Sequence, residues 1–262
     1  MAEALIIQLI ADYGVGDPAF AEVIQKFTYL DKDIRIRATS VPAFSTIATG
    51  LWISQFATVN AYSGLIIYSN TAPRIAITEE QHNHLGGQLA YTKLENGTII
   101  IAVNVGYCFS FLKDNIAKLH HVNVPNAGSQ FRSRDYYPDA VVQIAHGDLS
   151  AVGEEIPVST LLDVPKNIIA FIDGYGNLKT TTRQSECAIP VGTRVKISCN
   201  NTMLEGVVAD EAYKVHDGEI SFAPGSSGGQ DRFMEIWVRG MSAWKTFGKP
   251  HVESEFTITP VV

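Results

Sequence analysis

The chain has 262 residues, of which 46% are hydrophobic and 18% are charged, and its formal net charge is −7. This composition is typical of a globular protein with a substantial core, and the length suits one large domain or two ordinary ones. The acidic balance argues against a protein that binds nucleic-acid phosphates, and no apolar run approaches the roughly 20 residues of a membrane-spanning helix. We therefore expect neither a nucleic-acid nor a membrane partner.

Residues 1–10 contain Glu3 and no basic residue, which predicts a first strand and not a signal peptide. The three cysteines show no paired spacing, and this favours a reducing, cytoplasmic location without disulfides. His82 and His84 could ligate a metal, but no third ligand follows at a fixed spacing. We therefore expect no metal site.

Apolar runs and helical periodicities alternate through the first part of the chain, a pattern typical of a parallel sheet covered by helices. Asn96-Gly97 predicts a hairpin between two of the strands. We therefore predict an α/β domain with a largely parallel sheet over residues 1–155. The predicted strands are Leu5–Ile10, Ile34–Ala38, Gly64–Tyr68, Gln88–Leu94 and Thr98–Val103, and helices are predicted after Pro18, from Phe44 to Phe56, after Gly106 with Leu119 on its apolar face, and from Pro138 to Gly147.

The pattern changes after Gly153–Pro165, which reads as a connector. Short β-like runs then follow at close intervals, and no helical period is evident until Ser242–Phe247. This predicts a smaller all-β, barrel-like domain over residues 156–262. Its predicted strands are Ile168–Ile172, Leu178–Thr182, Arg194–Ser198, Glu205–Ala209, Phe233–Val238 and Phe256–Val261.

Two predicted strands are followed by an aspartate, an aromatic residue and glycine turns. Asp12-Tyr13-Gly14 follows the first strand, with Asp17 nearby, and Asp173-Gly174-Tyr175-Gly176-Asn177 follows a strand of the second domain. Structural turns are the ordinary use of such residues. Two carboxylates presented at strand ends could instead face one cationic ligand.

Two glycine-rich segments invite comparison with phosphate-binding loops. Gly14-x-Gly16 lacks a third glycine and is flanked by acids, so we do not expect it to bind an anion. Pro224-Gly-Ser-Ser-Gly-Gly229 is not followed by a helical pattern. It is either a flexible turn or a loop whose backbone N–H groups bind a small carboxylate. The residues alone do not identify a reaction.

Taken in order, these motifs resemble those of the S-adenosylmethionine hydroxide adenosyltransferases and their halogenating relatives, the fluorinase and the chlorinase. The resemblance covers nearly the whole chain and rests on the order and spacing of several short segments. The matching segments are Ala11-Asp12-Tyr13-Gly14, Phe131-Arg132-Ser133-Arg134-Asp135, Asp173 with Gly176 and Asn177, Ser227-Gly228, Phe233–Ile236 and Ser242-Ala243.

The resemblance implies an enzyme that displaces L-methionine from C5′ of S-adenosylmethionine. The nucleophile is water or hydroxide, giving adenosine, or a halide such as chloride, giving 5′-halo-5′-deoxyadenosine. It implies a homotrimer, with each site between the N-terminal domain of one subunit and the C-terminal domain of its neighbour, and no cofactor beyond the substrate. The sulfonium and ammonium of this substrate suit an acidic site, and in-line orientation supplies most of the catalysis.

The resemblance also implies a role for individual residues. The aspartates would bind the ribose hydroxyls and the methionine ammonium, aromatic residues and an asparagine would line the adenine and methionine pockets, and two serines would hold the methionine carboxylate. The candidate binding residues are Asp12 for ribose, Asp17 and Asp173 for the ammonium, Phe44 over the methionine, Tyr175 and Asn177 for adenine, Ser226 and Ser227 for the carboxylate, and Asn70 and Phe131 beside them.

Departures from the family pattern leave the nucleophile open. The hydroxide-using members carry an Asp and a His that activate water, and here Asn70 and Arg132 stand near those positions. An amide cannot act as a base, and an arginine cannot be deprotonated in a protein. The halogenating branch has hydroxyls that could cradle a desolvated anion. The candidate catalytic residues are therefore Tyr68, Thr71, Arg74, Arg132 and Ser133.

Two other hypotheses stay open. The chain could be a degenerate relative that binds S-adenosylmethionine or adenosine without turnover, and Asn70 and Arg132 motivate this reading. It could also be a structural or partner-binding protein that has lost the site. The retained Asp12, Asp173 and Asn177 speak against that last reading.

Overall fold

The structure, a computed structural model, describes residues 5–71, 87–125 and 128–261. The chain divides into two units, Met1–Asp163 and Val164–Val262, and each contains one seven-stranded sheet. Arg74, His82 and His84 lie outside the described residues. None of the helices in the described ranges combines the length and the apolar character that crossing a membrane requires.

The first sheet has the strand order β2-β1-β3-β5-β4-β6-β7. Its strands are β1 (Ile6–Ala11), β2 (Arg35–Ser40), β3 (Ile66–Asn70), β4 (Gln88–Lys93), β5 (Ile99–Asn104), β6 (Leu119–Val122) and β7 (Val152–Ile156). Strands β2, β1, β3 and β5 run parallel. The remaining pairs, β5 with β4, β4 with β6, and β6 with β7, are antiparallel.

The prediction of an α/β domain with a largely parallel sheet is therefore wrong, because the sheet is mixed and only 23% of the residues are helical. The hairpin at Asn96-Gly97 is confirmed as the β4–β5 connection. The error arose further along the chain. Leu119, assigned to an apolar helix face, begins β6, and β7 begins at Val152, just before the segment read as a connector. These two strands read Leu-His-His-Val and Val-Gly-Glu-Glu-Ile, so neither forms the continuous apolar run that would identify it as a buried strand.

In the part of the first unit that the structure describes, four α-helices accompany the sheet. They are α1 (Pro18–Leu30), α2 (Thr46–Thr58), α3 (Arg132–Asp135) and α4 (Tyr137–Ala145). Helix α1 packs against α3 and α4, while α2 packs on β1 and β3. Most residues of α2 are buried, as expected for a helix that is apolar around its circumference. Ser45 caps α2 by accepting the Ala48 N–H at 3.1 Å.

The second sheet has the order β14-β10-β11-β12-β13-β9-β8 and curls into a half-barrel instead of a closed barrel. Every neighbouring pair is antiparallel except β11 with β12. One short α-helix, α5 (Ala243–Thr246), follows β13. The strands are β8 (Ile169–Ile172), β9 (Leu178–Arg183), β10 (Arg194–Cys199), β11 (Thr202–Val208), β12 (Ile220–Pro224), β13 (Phe233–Val238) and β14 (Phe256–Pro260).

Candidate functional site

The carboxyl ends of β1, β2 and β3 meet at one edge of the first sheet. Ala11, the last residue of β1, lies opposite Ser40 of β2 and Asn70 of β3. The chain passes from β1 to β2 on one side and then returns past β1 to β3 on the other. Open parallel sheets commonly bind ligands in the crevice outside the carboxyl ends of the strands beside such a reversal, and we take the crevice at the ends of β1 and β3 as the candidate site. Asp12 and Thr71 directly follow these two strands.

Asp12 holds an unusual turn at this edge. Its Oδ2 accepts the backbone N–H of Phe44 at 3.0 Å. Phe44 has a φ of +66°, in the left-handed region that bulky residues seldom adopt, and 45% of its surface is exposed. Strain of this kind is concentrated at ligand sites and persists where neighbouring contacts enforce it. The Asp12 carboxylate thus helps to hold the backbone of Phe44 in this conformation.

A chain of hydrogen bonds runs through the Tyr13 phenol. Asn70 Nδ2 donates to Tyr13 Oη at 3.2 Å, and Tyr13 Oη lies 2.7 Å from Ser133 Oγ. Either hydroxyl can donate in this second bond, and donation by the phenol leaves the hydroxyl proton of Ser133 for another acceptor. Ser133 is buried, with 4% of its surface exposed. Asn70, Tyr13 and Ser133 form what we term the hydroxyl relay.

Other contacts hold this relay in place. Tyr13 packs edge-to-face against Phe20 and Phe131, with ring centroids 5.1 and 5.9 Å apart. Tyr68 is fully buried, and its hydroxyl donates to the main-chain carbonyl of Ser133 at 3.1 Å. Tyr68, predicted to be catalytic, therefore anchors the backbone of Ser133 from inside the core.

Burial raises the pKa of two phenols that are neutral near pH 7 even at their ordinary pKa. It raises the pKa of Tyr13 from its ordinary value of 10.0 to about 12, although the hydrogen bond with Ser133 opposes this rise. Burial likewise raises the pKa of Tyr68. Both phenols are therefore neutral near pH 7, and each keeps the proton it donates.

The raised pKa of Tyr13 predicts a loss of stability in alkali. Between about pH 10 and about pH 12 the unfolded phenol loses its proton while the folded one keeps it. The folded state therefore binds more protons, and its stability falls as the pH rises, by about 2–3 kcal/mol over the full interval. Urea unfolding at a series of pH values should show a shallower decline for Tyr13→Phe than for the wild type. Equal slopes of the unfolding free energy against pH for the two proteins would contradict the raised pKa of Tyr13.

Thr71 differs from Ser133 in the direction of its hydroxyl. Thr49 Oγ1 donates to the Ser45 carbonyl at 2.8 Å, and the two threonine hydroxyl oxygens lie 2.7 Å apart. Because the one proton of Thr49 is already used, Thr71 donates to Thr49. Thr71 is also completely buried. Its hydroxyl consequently has no proton left for a ligand in this arrangement.

Arg132 lies beside a separate cavity of about 560 Å³, which His121, Tyr137 and Glu154 also line. Its guanidinium lies 5.6 Å from the centre of the Tyr137 ring. His121 Nδ1 is buried without a hydrogen-bond partner among the described residues. The neighbouring Ser133 contacts Tyr13 instead. Arg132 and Ser133, which are adjacent in the sequence and were both predicted to be catalytic, thus lie in different surroundings.

The rest of the Phe131–Asp135 segment is held by its own charges. Arg134 donates to Asp135 at 2.6 Å and pairs with Glu22 of α1. The Arg134 guanidinium lies 4.9 Å from the centre of the Phe131 ring and holds the pKa of Asp135 at about 2. These contacts fix the segment that presents Ser133.

Asp17 caps helix α1. Its Oδ1 accepts the Ala19 N–H at 2.8 Å, and the side chain is exposed. Pro18 occupies the first helical position, where its missing N–H carries no cost. The carboxylate that was predicted to bind an ammonium therefore has a structural use here.

In the second unit, Asp173 and Asn177 are bonded to each other across the turn that joins β8 and β9. Asp173 Oδ1 accepts the N–H groups of Tyr175 at 2.9 Å and Asn177 at 3.0 Å, and Oδ2 accepts Asn177 Nδ2 at 2.9 Å. Gly176 has a φ of +84°, and a Cβ there would lie 2.1 Å from Ser242 Oγ. These bonds hold a tight turn with Tyr175 exposed at its tip.

The loop between β12 and β13, which we term the serine loop, contains one exposed and one buried serine. Ser226 is exposed, whereas Ser227 is buried and its carbonyl accepts the Phe233 N–H at 2.8 Å. The Ser226 N–H donates to Glu235 Oε1 at 3.3 Å. Ser226 is thus the hydroxyl that a ligand could reach.

The structure brings part of the predicted site together. Around the Tyr13 ring and the end of β1 it places Asp12, Phe44, Asn70, Phe131 and Ser133. Asp173, Tyr175, Asn177, Ser226 and Ser227 belong to the second unit. In the described part of the chain, no three His, Cys, Asp or Glu side chains are grouped to hold a metal.

The sequence reasoning missed Tyr13 and Thr49. Tyr13 stood inside the first motif beside Asp12, but it was treated as a member of the turn and not as a site residue. Thr49 lies one turn into α2 and carried no motif signal. Its role depends on a contact with Thr71, which only the packing of α2 on β3 creates.

Comparison with solved structures identifies proteins with the same fold. An uncharacterized conserved protein from Thermotoga maritima superposes with a TM-score of 0.76 at 16% identity, covering 96% of this chain and 99% of that one. A conserved hypothetical protein from Thermus thermophilus gives 0.68 at 17% identity, covering 97% and 99%. No protein-family model and no curated protein matches the sequence.

Proposed function

We propose that this protein cleaves S-adenosylmethionine by displacing methionine from C5′, as the family resemblance implies. The observation that carries the proposal is the hydroxyl relay of Asn70, Tyr13 and Ser133. When the phenol donates to Ser133, the relay leaves the Ser133 hydroxyl proton for a ligand, next to the Tyr13 ring that follows Asp12 at the end of β1. A directed donor at such a crevice can bind an incoming anion. Asp12 offers an acceptor to ribose hydroxyls in the same place.

The relay favours a nucleophile that is already an anion. Its groups are an amide, a phenol and a hydroxyl, and burial keeps the phenol neutral. None of these groups is a base near pH 7, so the relay would not deprotonate water. Donors of this kind can replace the water shell of a halide and hold it near the substrate. We therefore favour chloride as the nucleophile over water.

The reaction balances without a cofactor. Chloride forms a bond to C5′ as the bond between C5′ and sulfur breaks, and the electron pair stays on sulfur. The sulfonium becomes the neutral thioether of methionine, so the leaving group needs no proton. Because the leaving group is good, holding chloride, C5′ and sulfur in line supplies most of the rate. We propose the homotrimer of the family as the assembled form.

The test is an incubation with S-adenosylmethionine in chloride and in acetate, followed by separation of the nucleosides by mass. We expect 5′-chloro-5′-deoxyadenosine and methionine in chloride only, with a protein-free sample as the background. Adenosine and methionine in both buffers would support C5′ cleavage but contradict the choice of nucleophile. Intact S-adenosylmethionine that is bound but never cleaved would overturn the reaction and leave the binding hypothesis.

A further inference from the structure

A buried ion pair lies beneath the serine loop of the second unit. Lys179 of β9 and Glu235 of β13 are neighbours in the sheet, and Lys179 Nζ lies 2.6 Å from Glu235 Oε1. Their side chains are 6% and 0% exposed. Removing two charges from water costs more than their attraction usually returns, and apolar residues of similar volume commonly stabilise a fold as well or better. Stability alone therefore does not explain this pair.

Both members of the pair contact Ser226. Glu235 Oε1 accepts the Ser226 N–H at 3.3 Å, and Lys179 Nζ donates to Ser226 Oγ at 3.4 Å. A Cβ on Gly225 would lie 1.8 Å from Glu235 Oε1, so only glycine lets the loop cross the carboxylate this closely. Glu235 Oε2 has no hydrogen-bond partner among the described residues. The contacts that fix this carboxylate therefore run to Lys179 and to the loop.

These contacts set the direction of the Ser226 hydroxyl. An ammonium group has no lone pair, so Ser226 Oγ accepts from Lys179 and cannot donate back. The hydroxyl proton must then point away from the buried pair. Since Ser226 is exposed, that proton can be donated to a ligand at the surface. A hydroxyl polarised by an ammonium group is a better donor to an anion than an isolated one.

We infer that Lys179 and Glu235 are positioning residues that turn Ser226 into a directed donor for the ligand carboxylate. The inference rests on the proposed function and adds to it a basis for selectivity. The protein distinguishes S-adenosylmethionine from analogues that lack the carboxylate, and Lys179 acts on that choice through Ser226.

Equilibrium binding of two ligands tests this role. Decarboxylated S-adenosylmethionine keeps the adenosine, the sulfonium and the amine but lacks the carboxylate. We expect the wild type to bind S-adenosylmethionine about tenfold more tightly than the decarboxylated compound. Lys179→Met should remove this preference and leave the affinity for the decarboxylated compound unchanged. Ser226→Ala should have the same effect, and the double variant should be no worse than either single one.

A second variant guards against misfolding. Lys179→Met leaves Glu235 buried without its partner, which could unfold the chain, whereas Lys179→Met combined with Glu235→Leu replaces the pair by apolar groups. This combined variant should fold and still lack the preference. An equal loss of affinity for both ligands would indicate that the Lys179–Glu235 pair is merely structural and would overturn the inference.

The outcomes separate the inference from the reaction. S-adenosylmethionine bound with the carboxylate preference but never cleaved would support the inference and contradict the reaction. Cleavage without any preference between the two ligands would support the reaction and overturn the inference. Failure of the wild type to bind S-adenosylmethionine would overturn both.

Discussion

Replacing Asp12 by alanine is expected to weaken the binding of S-adenosylmethionine about 100-fold. The carboxylate is the acceptor we assign to the ribose hydroxyls, and hydrogen bonds to a charged group are each worth about 1.5–3 kcal/mol. The same oxygen that holds the Phe44 amide would also be lost. Phe44 would then relax from its left-handed conformation, and its ring would leave the edge of the crevice. Isothermal titration with S-adenosylmethionine measures this loss.

Asp17→Ala is the matched control for Asp12→Ala. Asp17 lies in the same loop but caps α1, so its removal should lower the free energy of unfolding by about 1 kcal/mol. Its effect on affinity should stay within about threefold, which is smaller than one charged hydrogen bond is worth. If Asp17→Ala weakened binding as much as Asp12→Ala, Asp17 would bind the ligand ammonium and the assignment of Asp12 alone would be wrong.

Ser133→Ala is expected to lower turnover by about 100- to 1,000-fold, the usual cost of removing one directed donor from an anionic site. The hydroxyl relay would then end at Tyr13, with no proton directed at the nucleophile. Binding of S-adenosylmethionine should hardly change, because Ser133 acts on the nucleophile and not on the substrate. Single-turnover rates and a separate binding titration distinguish these two quantities.

Thr71→Val is the control for Ser133→Ala. Thr71 follows β3 near the same crevice, but its proton is directed at Thr49. We expect a loss of about 1 kcal/mol of stability from the broken hydrogen bond and less than a threefold change in turnover. If Thr71→Val abolished turnover while Ser133→Ala did not, the donor would be Thr71 and the assigned direction of the hydroxyls would be wrong.

The strand ends could be predicted from the sequence because each follows a distinct apolar run. The runs before Asp12 and Asn70 are long enough to identify β1 and β3, and parallel strands present their carboxyl ends at one edge. The same reasoning failed for β6, which reads Leu-His-His-Val, and for β7, which reads Val-Gly-Glu-Glu-Ile, because polar residues interrupt any apolar run in them. Both pair antiparallel at the far side of the sheet, and the local pattern does not specify those partners.

The direction of the hydroxyl groups could not be predicted. It depends on contacts between residues that are distant in the sequence, such as the bond between Tyr13 and Ser133. The different behaviour of Thr71 and Ser133 follows from one bond, that from Thr49 to the Ser45 carbonyl. Likewise, the segment from Asp173 to Asn177 suggested a structural turn as its ordinary use and a ligand site as the alternative. The structure is needed to find that these two side chains bond to each other.

The location of the bound nucleoside tests the central claim most directly. A crystal structure of the protein with S-adenosylmethionine should place the ribose hydroxyls within hydrogen-bonding distance of the Asp12 carboxylate. The side of C5′ opposite the sulfur should face Ser133 Oγ. A nucleoside bound in the cavity beside Arg132 and His121, with the crevice between β1 and β3 empty, would contradict it.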